Sequence, residues 1–391
     1  MTPAVRRTAA FAFACCALAA LPAGPSAGER AAAPDPPHWQ GVPTEPPGDG
    51  PFPRGGMSLW VFHESADGLH PDGPEQEMLW LQNRARQDPA AEGVWLATET
   101  DPDVAGGRSF FNVNLTALQN AFAALPAMPP AAFDRRLYEA AKAHSIDELI
   151  AQPPPQNNQT HDGQFERVIA AGFEANGGRG SVFGFADSPL NAHAALNIDW
   201  GSGPGGMQSP PGHRLAIMEG LDNVGLALVA DDAAIGFGPL VFTGNYMDAD
   251  TQAANHHHRF LVGTVWSDLN DNGRYDAGEG FPDVTVTPSA GSFFAITSPG
   301  GGYAIPILAA GTYQVTFVGT GVPPGSQRSA TVGADSELLD LEIPVPEPGQ
   351  GVLLATGAVV LAAARRRRAQ STQTALMFTN SRMPQGPSSR P

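Results

Sequence analysis

The apolar pattern of this chain changes kind once, between residues 250 and 260, and nothing else in the sequence constrains the fold as strongly. Before that point apolar residues recur at helical spacing. Met78, Leu79, Leu81 and Ala85 make a stripe that Pro74 and Glu75 open and Asp88-Pro89 closes, because proline and acidic groups suit a helix's first turn. Further helices are expected over 115–125, 131–150, 164–171 and 190–200. The second of these carries Leu137, Ala140, Ala141, His144 and Ile146 near one face. An edge strand is expected over 58–62 and two strands late, over 226–230 and 240–246, whereas 176–184 reads as a glycine-rich loop. Helices first and strands last predict an α+β layered fold for 57–250, not a parallel sheet.

After residue 260 the helical spacing is gone. Strand-like runs at 260–266, 284–287, 293–297, 303–307, 313–318 and 337–343 are separated by proline and glycine turns. They predict a second, smaller all-β sandwich over 260–343. The connection, 251–259, contains Asn255-His256-His257-His258-Arg259 and reads as a solvated linker, although a histidine triplet can also scavenge metal.

The two ends read as addresses. Arg6, Arg7 and the short apolar run at 9–21 have the form of a signal peptide over 1–27, with small residues around Ala23 and Ala27 for cleavage. A Pro/Gly-rich linker, 28–56, follows. Cys15 and Cys16, the two cysteines of the sequence, lie inside that signal, so the exported protein is expected to lack disulfides and to depend on packing and metal. Near the other end come Val345-Pro346-Glu347-Pro348, an apolar run at 351–364 and four arginines, Arg365 to Arg368. A basic cluster after an apolar run stays cytoplasmic, leaving the bulk of the chain outside, so 344–368 reads as a sorting signal or membrane anchor and 369–391 as a disordered tail. Eight of the 22 basic residues lie in 1–27 and 349–391, which hold no acids; the remainder has 39 acidic against 14 basic residues, a net of −25. Such a body repels nucleic acid and anionic membrane surfaces and suits an extracellular or envelope location rich in divalent cations.

The strongest chemical motif is Asp268-Leu269-Asn270-Asp271-Asn272-Gly273-Arg274-Tyr275-Asp276-Ala277-Gly278-Glu279. Oxygen side chains fall at loop positions 1, 3, 5, 9 and 12, glycine at 6, and the Arg274 carbonyl at 7. That is what a calcium loop needs: hard oxygen ligands, a sharp turn and a final bidentate glutamate. The flanks are strands, so Ca2+ is expected to clamp a β-module. The earlier domain offers His144, His161, His193 and His213, with Asp162, Asp199 and Glu219 nearby in sequence. Two histidines plus carboxylates could hold Zn2+ or another divalent metal. No HExxH or GxSxG occurs, and Lys142, the sole lysine, follows alanine, so a zinc-peptidase helix, a nucleophile elbow and a phosphate-cradling loop are excluded.

Three resemblances add to this reading. The segments EMLWLQNRARQDP (77–89), FDRRLYEAAKAHS (133–145), 160–172 and 206–229 occur in the order and spacing of bacterial CAP-superfamily domains, the group of cysteine-rich secretory, antigen 5 and pathogenesis-related 1 proteins. Asn83, Arg86 and Pro89 match its first-helix signature and Gly212-His213-Arg214 its GHR turn. The resemblance implies an α-β-α sandwich whose cleft carries His161 and His213. The family's first cleft glutamate falls at Ser181; for the second, Asp199 beside Trp200 is the nearest acid. His193 would be a helix-surface residue or a support behind the ligands. The region around 263–286 and 301–317 is similar to the calcium-stiffened B-type modules of serine-aspartate-repeat surface proteins. The C-terminal trio resembles the PEP-CTERM signal, which implies exosortase-type sorting machinery as a partner. Together these imply an exported, envelope-associated binding or structural protein with a degenerate histidine cleft, its ligands lipids, sterols or envelope polymers. The alternative is a metal-dependent hydrolase using His161 and His213, with Asp199 as base or ligand.

Overall fold

The computed structural model describes residues 56–151, 159–231 and 238–345. The expected signal peptide, all but the end of the 28–56 linker, and the apolar run, arginine cluster and tail beyond 345 lie outside the described residues. Up to Ile343 the chain forms one compact unit, so the helical half and the β-module are parts of a single body. Among the described residues, no helix is long and apolar enough to cross a membrane.

The helical half begins with α1 (Gly73–Gln87), α2 (Pro89–Thr98), α3 (Pro102–Phe110) and α4 (Leu115–Ala123). Their starts follow one local rule, an Asp or Asn side chain accepting from the first turn. Asp72 and Glu75 form a reciprocal capping box on α1. Asp88 ends α1 and caps α2 through Ala91 N–H; Asp101 caps α3 and Asn114 caps α4. The sequence reading passed over α2 and α3, whose Asp88-Pro89 and Asp101-Pro102 are caps followed by a first-turn proline.

A short strand, β2 (Ala132–Phe133), precedes α5 (Arg135–Ala151). The helix expected from 131 therefore starts four residues late, because Ala132 and Phe133 pair in parallel with Asn223 and Val224. Next come α6 (Gln164–Ala170), β3 (Ala175–Ala186), α7 (Pro189–Ile198), a 3-10 turn at Pro204–Gly206, α8 (Gly212–Met218), β4 (Asn223–Ala230) and β5 (Leu240–Ala249). The sheet runs β2-β4-β5-β3, with β3 at the edge.

The stretch read as a glycine-rich loop is thus most of a twelve-residue strand. Its glycines mark close approach rather than a turn. A Cβ on Gly178 would strike Met247, and one on Gly180 would strike the Gln164 amide.

Helices cover both faces of this sheet. Leu81, Leu96, Phe122, Leu190, Leu226 and Phe242 share one core; Leu137, Val168, Phe173 and Met247 share another. Side chains alternate along a strand, so Phe242 and Tyr246 face α1, α7 and α8, whereas Thr243, Asn245 and Met247 face α5 and α6. The mixed α+β character expected from sequence holds.

The β-module contains β6 (Phe260–Trp266), β7 (Thr285–Pro288), β8 (Phe293–Ile296), β9 (Gly302–Pro306), β10 (Gly311–Val318), β11 (Gln327–Val332), β12 (Glu337–Leu338) and β13 (Leu341–Glu342). Leu261, Val286, Ile305, Val315 and Phe317 fill the space between its sheets. One of those sheets has a surprising member. The strand at the start of the described chain, β1 (Ser58–Leu59), pairs in parallel with β8, giving the order β1-β8-β7-β10-β11. The edge strand assigned from sequence to the helical domain belongs to the β-module.

The connection at 251–259 is exposed at Thr251, Gln252, Ala254, Asn255 and His258, as a solvated linker would be, but packs His256 and His257. His256 is buried: its Nε2 accepts Glu174 N–H at 2.8 Å and its Nδ1 lies 2.9 Å from the Ala254 carbonyl. His257 sits among Trp60, Phe260 and Phe293, and burial first, then neighbouring cationic groups, pushes its pKa down to about 4. His258 alone of the three is exposed. Along α1 the halves are fastened by Gln76 Nε2 donating to Thr264 Oγ1 at 2.8 Å and by Trp80 against Trp266 at 5.7 Å.

Candidate functional site

His213 reaches its place through the loop that follows α7. Asp199 ends that helix in the left-handed region, φ 55°, which turns the chain sharply before Trp200. Trp200 bridges Met207 across the loop. The return brings His213, in the first turn of α8, onto the fully buried Asp199: Nδ1 lies 2.8 Å from Oδ1, and the His213 backbone N–H donates to Oδ2 at 3.1 Å. With Nδ1–H donating to the carboxylate, the lone pair of the neutral imidazole is on Nε2. Arg214 locks the same corner, donating to the Asn197 and Ile198 carbonyls at 2.6 Å, the orphan acceptors at the end of α7.

His161 is held from the other helical layer. Its Nδ1 lies 2.6 Å from Gln164 Oε1, and Gln164 Nε2 donates to the Gly244 carbonyl and to Asn245 Oδ1 at 3.1 and 2.9 Å. Beside it Thr160 binds Glu148 Oε1 through both N–H and hydroxyl. His144 is a buried neighbour rather than a ligand. It faces Thr243 and Glu148, and burial, reinforced by Arg167 and His161, pushes its pKa down to about 4.

The structure thus joins His213 to Asp199 and joins His161 to Gln164. Edge strand β3 meets Gln164, the anchor of His161, and Glu219, at the end of the helix that carries His213, at adjacent residues. Gln164 lies against Gly180, while Arg179 pairs with Glu219 at the end of α8. Ser181 follows, buried and next to Tyr246. Among the described residues, one trio of His, Cys, Asp or Glu has its ligand atoms within 4.8 Å: His70, Asp72 and Glu75, which include neither cleft histidine. That trio went unread in the sequence. His70 Nδ1 lies 2.7 Å from Glu75, the glutamate of the α1 capping box, and the Asp72–Glu75 spacing was its only signal.

His193 is neither a helix-surface residue nor a support behind the cleft. It is fully buried, 2.8 Å from Glu92, which also takes a two-pronged ion pair from Arg84. Burial pushes the Glu92 pKa up, but His193 and Arg84 outweigh it and hold it below the usual range. Residues matched by family signature turn out to be structural. Asn83 exchanges two hydrogen bonds with the Ala131 backbone, and buried Arg86 donates to the carbonyls of Ile217, Leu221 and Pro129.

In the loop from Asp268 to Glu279 the two end carboxylates are held by backbone N–H groups, and the carboxylates of Asp268, Asp276 and Glu279 do not all lie within 4.8 Å of one another. Asp268 accepts from the N–H groups of Asn272 and Gly273 at 3.1 and 2.7 Å; slight desolvation is outweighed by these bonds, which hold its pKa down. Glu279 is buried and closes the ring, taking the N–H groups of Leu269 and Asp276, both at 2.8 Å. Asn270 and Asn272 both turn their amides to Asp276 Oδ2. Asp271 and Gly273 take positive φ at the tight turn. Arg274, whose carbonyl occupies the seventh loop position, directs its side chain to Asp276 at 3.1 Å and toward Glu99 of the helical half at 3.9 Å. Ala277 N–H donates to Glu77 of α1 at 3.2 Å.

No protein-family model matches the chain, and no curated protein matches it.

Proposed function

We propose that this is an exported, envelope-associated surface protein in which a CAP-type sandwich presents a binding cleft and a calcium-clamped β-module holds it rigidly. The observation that carries the reading is the Asp268–Glu279 loop, whose two end carboxylates are already drawn inward by backbone N–H groups. Asp268, Asn270, Asn272, Asp276 and Glu279, with the Arg274 carbonyl, would hold the ion, which supplies a charge that cross-links the loop. Because Arg274 and Ala277 also touch Glu99 and Glu77, stiffening the loop stiffens the seam with the helical half.

The cleft reading rests on His161, His213 and edge strand β3, which meets Gln164 at Gly180 and Glu219 at Arg179. Ser181, where the family has a glutamate, is a poor metal ligand, and both oxygens of Asp199 are committed to His213. Binding of a lipid, sterol or envelope polymer fits that donor set better than metal-activated water. The hydrolase reading is favoured by one feature, the His213–Asp199 pair that orients an imidazole base. Export, exosortase-type sorting and anchoring through 344–368 belong to the same proposal and rest on the sequence motifs.

Calorimetry of chelator-treated protein tests the core of it. Calcium should bind one site in the wild type and none in Asp268→Ala; a wild type without a calcium signal ends the clamp reading. Stoichiometric zinc that is lost in His213→Ala would move the cleft to the hydrolase reading.

A further inference from the structure

A cavity of about 220 Å³ lies in the helical half between α3, β3, α7 and the start of the loop after α7. Five aromatic rings wall it: Phe110, Phe111, Phe183, Phe185 and Trp200. The Phe111 and Trp200 rings stack at 6.0 Å and 14°, and Phe110 meets Phe111 edge-on at 4.9 Å. The wall is built deliberately close. A Cβ on Gly107 would sit 2.5 Å from Trp200 Cη2, so glycine lets α3 lie flat on the indole, while a Cβ on Gly106 would meet nothing within 4 Å.

The charge at this cavity has one sign. Asp103 and Asp187 line it, and none of its described lining residues is basic. Asp101 adds to the field: burial first, then Asp103 and Asp101, push the Asp187 carboxyl above its ordinary range. Aromatic faces carry negative quadrupole charge, and carboxylates at their rim deepen the same potential. An anion is repelled from such a site, and a neutral apolar group gains nothing from the carboxylates.

We propose that this cavity binds an organic cation, a quaternary ammonium or amine carried on a small apolar body. The apolar body would fill the aromatic space, and the cationic carbons would face the rings and the two aspartates. The cavity shares no lining residue with the calcium loop and includes none of His161, Ser181, Asp199 and His213, although Trp200 directly follows Asp199.

Titration calorimetry on the full chain tests it with phenyltrimethylammonium and its uncharged isostere tert-butylbenzene. Phenyltrimethylammonium should bind, tert-butylbenzene at least tenfold more weakly. Asp187→Asn should weaken the cation about five- to tenfold, and added salt should do the same in the wild type. Gly106→Leu, which places a side chain into open space and removes a helix-weakening glycine, should fold normally and abolish binding. Co-sedimentation with phosphatidylcholine vesicles separates the sources of the cation: vesicle binding lost in Gly106→Leu marks a lipid headgroup, and free-cation binding without vesicle binding marks a soluble amine. Equal affinity for the two isosteres, or binding unchanged in Gly106→Leu, overturns the proposal.

Discussion

His213 holds Asp199 twice, through its ring at 2.8 Å and through its backbone N–H at 3.1 Å, so one buried carboxylate fixes both the start of α8 and the attitude of the imidazole. Asp199→Ala should cost about 1–3 kcal/mol, because it leaves two part-buried donors of His213 without their acceptor. It also puts a residue that disfavours φ 55° at the turn. Asp199→Asn should cost less, since asparagine tolerates the left-handed region and keeps an acceptor oxygen. Urea denaturation of the three proteins checks the order; equal losses in both variants would refute the double role.

The two end carboxylates of the 268–279 loop should separate in their metal-free behaviour. Saturating calcium at a hundredfold over its Kd should add about 2.7 kcal/mol to the wild type. Both Asp268→Ala and Glu279→Ala should abolish that gain. In chelator, however, Asp268 is partly exposed and its loss should cost little, whereas Glu279 is buried and satisfies Leu269 and Asp276. Its loss should cost about 1–3 kcal/mol with no metal present. Thermal scans with and without calcium give all four comparisons.

Asp222 supplies a pH test. Burial, then Asp248 close by, raises its pKa to about 7 in the folded protein from an ordinary 3.8. The folded state therefore keeps a proton that the unfolded chain releases. The benefit is full below about 3.8 and is lost as pH rises toward 7. Asp222→Asn should be more stable than the wild type by about 1–2 kcal/mol at pH 8, after allowance for solvent screening, and equal to it near pH 4. A stability difference that stays constant from pH 4 to pH 8 would remove this account.

Gly180→Ala should be costly despite its small size. Its Cβ would enter the space of the Gln164 amide, which is buried and tied to Gly244 and Asn245. A loss of about 1–3 kcal/mol is expected, with His161 released from Gln164. Histidine proton resonances would follow the release, and an unshifted His161 signal would contradict it.

Much of the fold was legible because it rests on short-range rules. Apolar spacing located α1, α4, α6, α7 and the strands of the β-module except β11, Gln327–Val332. What escaped depended on distant partners. Ala132 and Phe133 read as helix because their strand exists only through β4, ninety-one residues on by the Ala132 pairing to Asn223. Gly178 and Gly180 read as loop because composition does not reveal that Met247 and α6 need their missing side chains. The histidine triplet read as polar linker because its cover, Trp60, Phe173 and Phe293, comes from three separate segments. In the cleft, sequence supplied His161, His213 and Asp199 as candidates. It could not say that Asp199 belongs to one of them or that His193 belongs to Glu92. The aromatic cavity left no motif, since its walls come from α3, β3 and the residue after Asp199.

The parallel pairing of Ser58 and Leu59 with Phe293 and Phe294 carries a mechanical consequence. Everything from α1 to β5 is looped out between two strands of the same module, so tension applied at residues 57 and 343 is borne first by the β1–β8 seam and the strands behind it. While that seam holds, the helical half is shielded from load applied across the β-module.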